Sequence, residues 1–276
     1  MVILLICFSA IVSKAQLRVS ENVPIGFYGK VVDQEGEAVI GAAVSFDLIT
    51  SYMAENRTQT TPMTLQTGQN GKFVLAGVTG YGIDKISVQK QGCELSEKTS
   101  RGYVFGLKPE YKPNPDNPVI FKMWKIMGKE TLVGSRWHGK VACDGATNRF
   151  DLLYGSKDTN GDLEVVCSKY PLTEPPPGNA HFDYKFEVAV LGGGIQPTAD
   201  EFTYRAPEKG YAPAFTVSHK ADDPNWLGGI KQEFYIKTAS GRYGRLYVEW
   251  YASQTPPVHL EWNCSINAFG SHNLER

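Results

Sequence analysis

A surplus of either charge is missing from this sequence. Its 28 Lys and Arg stand against 29 Asp and Glu, a net charge of −1, and no dense basic run breaks the balance. The electrostatic footprint of a nucleic-acid-binding chain is therefore lacking. Sustained apolar spacing at i, i+3, i+4 and i+7 is also lacking, which argues against amphipathic helices. Cysteine is scarce, five in 276 residues, and no C-x-x-C occurs to suggest a structural zinc site. Past Val2–Val12 no apolar run approaches the roughly 20 residues that a spanning helix needs.

Catalytic signatures are missing in the same way. The five histidines, His138, His181, His219, His259 and His272, form no H-E-x-x-H. There is no G-x-S-x-G elbow, and Gly192-Gly-Gly194 lacks the lysine of a phosphate loop, so it reads as a turn. A glycosidase carboxylate pair needs no closeness in sequence and leaves no signature here. The expectation is a protein that is not an enzyme and carries no cofactor. Asp158, Asn160 and Asp162 offer oxygen ligands around Gly161, but Glu164 comes too early for the distal ligand of a calcium loop. A plain hairpin turn is the simpler reading, and no metal is expected.

What is present begins with a leader. The apolar run Val2–Val12 ends at Ser13-Lys14-Ala15, whose small residues at −3 and −1 suit cleavage before Gln16, so residues 1–15 read as a signal peptide. Ile6 before Cys7 argues against a lipoprotein site. The mature chain is expected to be secreted or periplasmic, with no transmembrane segment.

Glycine (28), proline (16) and tyrosine (14) are plentiful, and with period-two apolar patterns they favour many short strands. Ala42, Val44, Phe46 and Leu48 alternate with Ala43, Ser45 and Asp47, which places one set on the inner face of a strand. Asp33-Gln-Glu-Gly36 and Asn70-Gly71 read as tight reversals. Phe73 with Leu75, Ile86 with Val88, and Val119, Phe121 and Met123 continue the pattern. The order Gly29-Lys-Val-Val-Asp33, Gly41-Ala-Ala-Val-Ser-Phe46 and Thr67-Gly-Gln-Asn-Gly71-Lys-Phe73 resembles the carboxypeptidase regulatory-like (transthyretin-like, carbohydrate-binding-like) domain. Ala38, Gly68 and Cys93 depart from that pattern without removing a core position. The resemblance implies an N-terminal Greek-key β-sandwich; some relatives attach it to a zinc carboxypeptidase domain, whose His-x-x-Glu ligand pair is not expected among the five histidines, so that activity is not carried over. PNPDNPVIFKMWK and segments such as FTYRAPEKGY resemble regions of uncharacterised secreted bacterial two-domain proteins.

The chain therefore reads as all-β: a sandwich over residues 16–128, then a second β-rich domain over 129–276, divided near Met127-Gly-Lys-Glu130. Phe150–Tyr154 and Leu163–Cys167 flank the Asn160-Gly161 reversal as a hairpin. Phe182–Leu191, Glu201–Tyr204, Gln232–Lys237, Arg242–Tyr251 and His259–Cys264 are further candidate strands. Ala268–Arg276 reads as a short polar extension. Cys93, Cys143, Cys167 and Cys264 follow the leader, and Cys143 with Cys167 is the pair nearest in sequence. They are either a disulfide or two buried thiols.

Aromatic residues carry the binding argument. A sugar lays C–H faces on an indole or phenol ring while its hydroxyls seek polar partners at the edge. Trp124, Trp226, Tyr247 and Tyr251 are the candidate ligand-binding residues. The competing reading is that Trp124 packs between domains, Trp226 anchors its loop and the tyrosines cover a neighbouring sheet. Trp250 and Trp262 read as core. The function follows as a non-catalytic extracellular or periplasmic protein that binds polysaccharide, or alternatively a structural or adhesive module among cell-envelope components.

Overall fold

The computed structural model describes residues 22–53, 57–105, 111–170, 181–251 and 257–275, so the leader expected at 1–15, with Cys7, lies outside the described residues. Among the described residues the structure is all-β, with four sheets. The chain divides into two compact, sandwich-like units, residues 1–125 and 126–276.

The first unit contains β1 (Val23–Val32), β2 (Ala43–Met53), β3 (Arg57–Gln66), β4 (Lys72–Gly80), β5 (Gly82–Gln89), β6 (Cys93–Leu95), β7 (Tyr103–Val104) and β8 (Val119–Lys125). One sheet has the order β4-β1-β8-β6 and the other β3-β2-β5-β7; β1 and β8 run parallel. Inward residues of both sheets make one core. Phe27, Val31, Phe73 and Phe121 meet Val44, Phe46, Ile83 and Ile86 there. The fixed residues of the sequence pattern each have a local task. Gly29 pairs with Phe73 across β1 and β4, and a Cβ at Gly29 would stand 2.2 Å from the Phe73 ring, so glycine leaves room for that ring over the neighbouring strand. Asp33 Oδ1 accepts the backbone N–H groups of Glu35 and Glu37. The buried Thr67 hydroxyl donates to Val39 O at 2.6 Å and accepts from Ala42 N, closing the turn on both sides.

The second unit contains β9 (Leu132–Val141), β10 (Asp144–Asp151), β11 (Ser156–Lys157), β12 (Leu163–Tyr170), β13 (Asp183–Val190), β14 (Gly194–Thr198), β15 (Ala214–His219), β16 (Gly229–Lys237), β17 (Tyr243–Tyr251) and β18 (Val258–Asn267). Its sheets run β11-β10-β12-β13-β15 and β14-β16-β17-β18-β9. Trp250 and Trp262 are fully buried between them with Phe150, Phe186 and Phe234. The β10–β12 hairpin holds the Asn160-Gly161 reversal, but a first turn at Leu152–Gly155 and the short β11 come before it. Thr238 and Arg242 close the β16–β17 hairpin around Ser240-Gly241.

Two expectations for this unit are corrected. Glu201–Tyr204 forms no strand; Thr203 is buried while Tyr235 Oη donates to Asp200 and Phe202 O, so the segment covers β16 instead of extending the sheet. The tail after β18 is no loose polar extension. Leu274 is fully buried in a small cluster with Ala206, Tyr235 and Tyr243. The Glu275 carboxylate accepts from Met127 N and Gly128 N, and Asn267 Nδ2 donates to Glu130 and to Asn273 O. Both ends of the unit are thereby fastened to each other.

Candidate functional site

Strand alternation makes the first part of the site. Leu246, Val248 and Trp250 point into the core from β17, which sends Arg245, Tyr247, Glu249 and Tyr251 to the outer face. Tyr247 and Tyr251 lie two places either side of Glu249, and both phenols donate to its carboxylate, Tyr247 at 2.7 Å. The register sets Lys231 of β16 and Glu261 of β18 beside Glu249, and Lys231 Nζ meets Glu249 Oε1 at 2.8 Å. The Lys231 ammonium and the two phenols hold the Glu249 carboxyl down to about 2. Burial, with the anionic acceptor beside it, pushes the Tyr247 phenol up to about 12. His259 lies tilted against Tyr251 at 5.9 Å. Next to Tyr247 is a cleft of about 180 Å³ lined by Thr203, Glu233, Arg245, Asn263 and Ser265, and Arg245 lies over the Tyr204 ring at 5.7 Å. The cleft is polar with one aromatic wall.

The second part is the loop between β15 and β16. Asp223 accepts from Asn225 N at 2.8 Å and meets His219 Nδ1 at 2.5 Å; these two contacts hold its carboxyl below the usual range. Asp183 receives Lys220 Nζ and Ala221 N, and Tyr184 donates to Leu227 O. On this frame the half-buried Trp226 stacks on His181, 4.6 Å between centroids and 7° between planes. Its edge contacts include Phe182 and Tyr184, and its indole N–H donates to Phe182 O at 2.9 Å.

Tyr247 and Tyr251 thus come together. Trp226 is held at the β13 side of the unit, and Trp124 lies half-buried in the first unit, on β8 opposite Glu94. Cys143 and Cys167 are both thiols in the core of the second unit. Asp158 accepts from Asn160 N and Asp162 from Leu152 N, so the acidic residues of the calcium-like sequence serve their own turns. His272 and Glu275 stand at the His-x-x-Glu spacing of a zinc-carboxypeptidase ligand pair, but His272 Nδ1 meets Ala206 O and Glu275 holds Met127 and Gly128. Among the described residues no group of three His, Cys, Asp or Glu side chains is placed to hold a metal ion. Arg245 and Glu249 are legible beside and between the two tyrosines on one face; Lys231 and Asn263 join them only through the strand register, and the His181 stack only through the fold.

No family model matches the chain, and no curated protein matches it. Among solved structures it is similar to the full-length major pilin SpaD from Corynebacterium diphtheriae, with 8% identity over 86% of this chain and a TM-score of 0.27. The match spans 63% of the pilin chain, and a likeness so distant carries no argument about function. No helix among the described residues is long and apolar enough to cross a membrane.

Proposed function

We propose that this chain is an exported, non-catalytic β-sandwich protein of the cell envelope with a structural or adhesive role, and that its first unit is a carboxypeptidase regulatory-like domain. The supporting observation is the use made of the aromatic rings. A sugar platform needs ring faces open on a common surface. Here one face of Trp226 carries His181 and its N–H is bound to Phe182, and Lys231 Nζ lies over the Tyr251 ring, 5.6 Å from its centroid. The assignment of the first unit rests on the tasks of Gly29, Asp33, Thr67 and Phe73 in the fold.

A second reading rests on the cleft beside Tyr247, whose hydroxyl, carboxylate, amide and guanidinium lining suits a hydroxyl-rich ligand. One experiment separates them. The tagged chain, exported from a bacterial host, is fractionated and also applied to a polysaccharide array. The structural role predicts retention with the envelope and a blank array. A glycan whose binding falls about tenfold or more in Tyr247→Ala, with melting temperature unchanged, would replace the structural reading with the sugar site.

A further inference from the structure

Cysteine in the second unit is placed for covalent chemistry that neither reading of function uses. Cys143 closes the two-residue link Ala142-Cys143, where the chain leaves β9 in one sheet for β10 in the other. Cys167 lies on the inward face of β12. Both side chains are fully buried in the same core. Cys167 Sγ lies 3.0 Å from Ala142 O, the carbonyl just before Cys143. In the folded core each thiol acts on the other, bringing Cys143 down and holding Cys167 up.

We propose that Cys143 and Cys167 form a disulfide when the chain folds in an oxidising compartment, stapling the crossover between the two sheets of the second unit. The oxidant is a protein or glutathione disulfide. One of the two cysteines, as its thiolate, attacks one of the oxidant's sulfurs, expelling the other as a thiolate and leaving a mixed disulfide on that cysteine. The thiolate of the second cysteine then attacks the first cysteine's sulfur and expels the oxidant's second sulfur. One S–S bond breaks and one forms, two electrons pass to the oxidant, and the two cysteine protons end on its sulfurs. Exchange occurs before the core closes, because neither sulfur is reachable afterwards. Burial then shields the finished bridge from reducing thiols, which suits a protein exposed to a variable exterior. Loop closure between the two positions restricts the unfolded chain, so the oxidised form is the more stable.

The full-length chain, exported to the periplasm of an expression host, is denatured in an alkylating agent without reductant, digested and mapped by mass spectrometry. A Cys143–Cys167 linked peptide is expected, with Cys93 and Cys264 alkylated. Arg149 and Lys157 lie between the two positions, so tryptic cleavage separates them. The same protein, reduced while unfolded and refolded under reductant, is expected to melt several degrees lower, a comparison that needs no substitution. Alkylated Cys143 and Cys167 in most molecules, or a bridge from either one to Cys93 or Cys264, would overturn the pairing. Equal melting of linked and reduced forms would overturn the stapling.

Discussion

The indole N–H of Trp226 donates to the backbone carbonyl of Phe182 at 2.9 Å, which ties the loop before β16 to the segment that enters β13. Its ring contacts with His181, Phe182 and Tyr184 all serve the same attachment. Trp226→Ala removes half-buried ring area and one hydrogen bond, so a loss of about 2 kcal/mol in unfolding free energy is expected. Thermal or urea unfolding of wild type and variant measures it. Unchanged stability would show that the ring is not an anchor.

Gly71 and Gly36 separate two costs of losing a glycine. Both have positive φ, +73° and +85°, which costs an alanine about 1 kcal/mol. A Cβ at Gly71 would also lie 2.4 Å from Val31 O, whereas nothing stands within 4 Å of one at Gly36. Gly71→Ala is therefore expected to destabilise the first unit by at least about 2 kcal/mol more than Gly36→Ala. Equal effects in denaturant titrations would mean that the turn shifts freely.

How much of this was legible depended on what each segment buries. β17 was plain because Leu246, Val248 and Trp250 alternate with polar residues over one core face. β3 leaves little trace in the sequence: RTQTTPMTLQ offers only Met63 and Leu65 as apolar residues of an edge strand, so period two hardly registers. The tail reads as polar because its ordering comes from Asn267 and Asn273 satisfying backbone groups within the tail and from Glu275 accepting Met127 N and Gly128 N, far away in sequence. A composition of Asn, Ser and Glu is the same for a solvated end and for such a network. The Glu249 cluster was half legible, since spacing gives Tyr247 and Tyr251 but Lys231 needs the β16–β17 register.

Acid should loosen the outer face of β17 in a defined window. The Glu249 carboxyl is about 2 in the folded protein against an ordinary 4.5. A folded value below the unfolded one stabilises fully above about pH 4.5, and this contribution is lost as pH falls toward about 2. Glu249→Gln has no such titration. The melting-temperature gap between wild type and Glu249→Gln is expected to be constant near neutrality and to close across that window. A gap independent of pH down to 2 would contradict the ion-pair account of the cluster.

Pro62 guards an edge that an adhesive or assembling protein would have to manage. β3 ends its sheet, paired with β2 alone among the described residues. Thr67 N donates to Ala42 O, and in an antiparallel pair such bonded positions recur every second residue. Leu65, Met63 and Thr61 therefore direct their backbone groups toward β2, and Pro62, opposite Asp47, directs its nitrogen outward. Proline is tolerated there because no ladder bond is lost, and its missing N–H interrupts the row that another strand would use. Pro62→Thr restores that N–H with a residue well suited to a strand. Stability is expected to change by no more than about 0.5 kcal/mol, while self-association rises, seen by sedimentation velocity as a concentration-dependent dimer or larger species. Lys in place of Thr would restore the N–H but place a charge on the edge, so Pro62→Lys should remain closer to wild type. Should Pro62→Thr stay as monodisperse as the wild type at every concentration, Pro62 is no guard, and whatever blunts the β3 edge lies elsewhere.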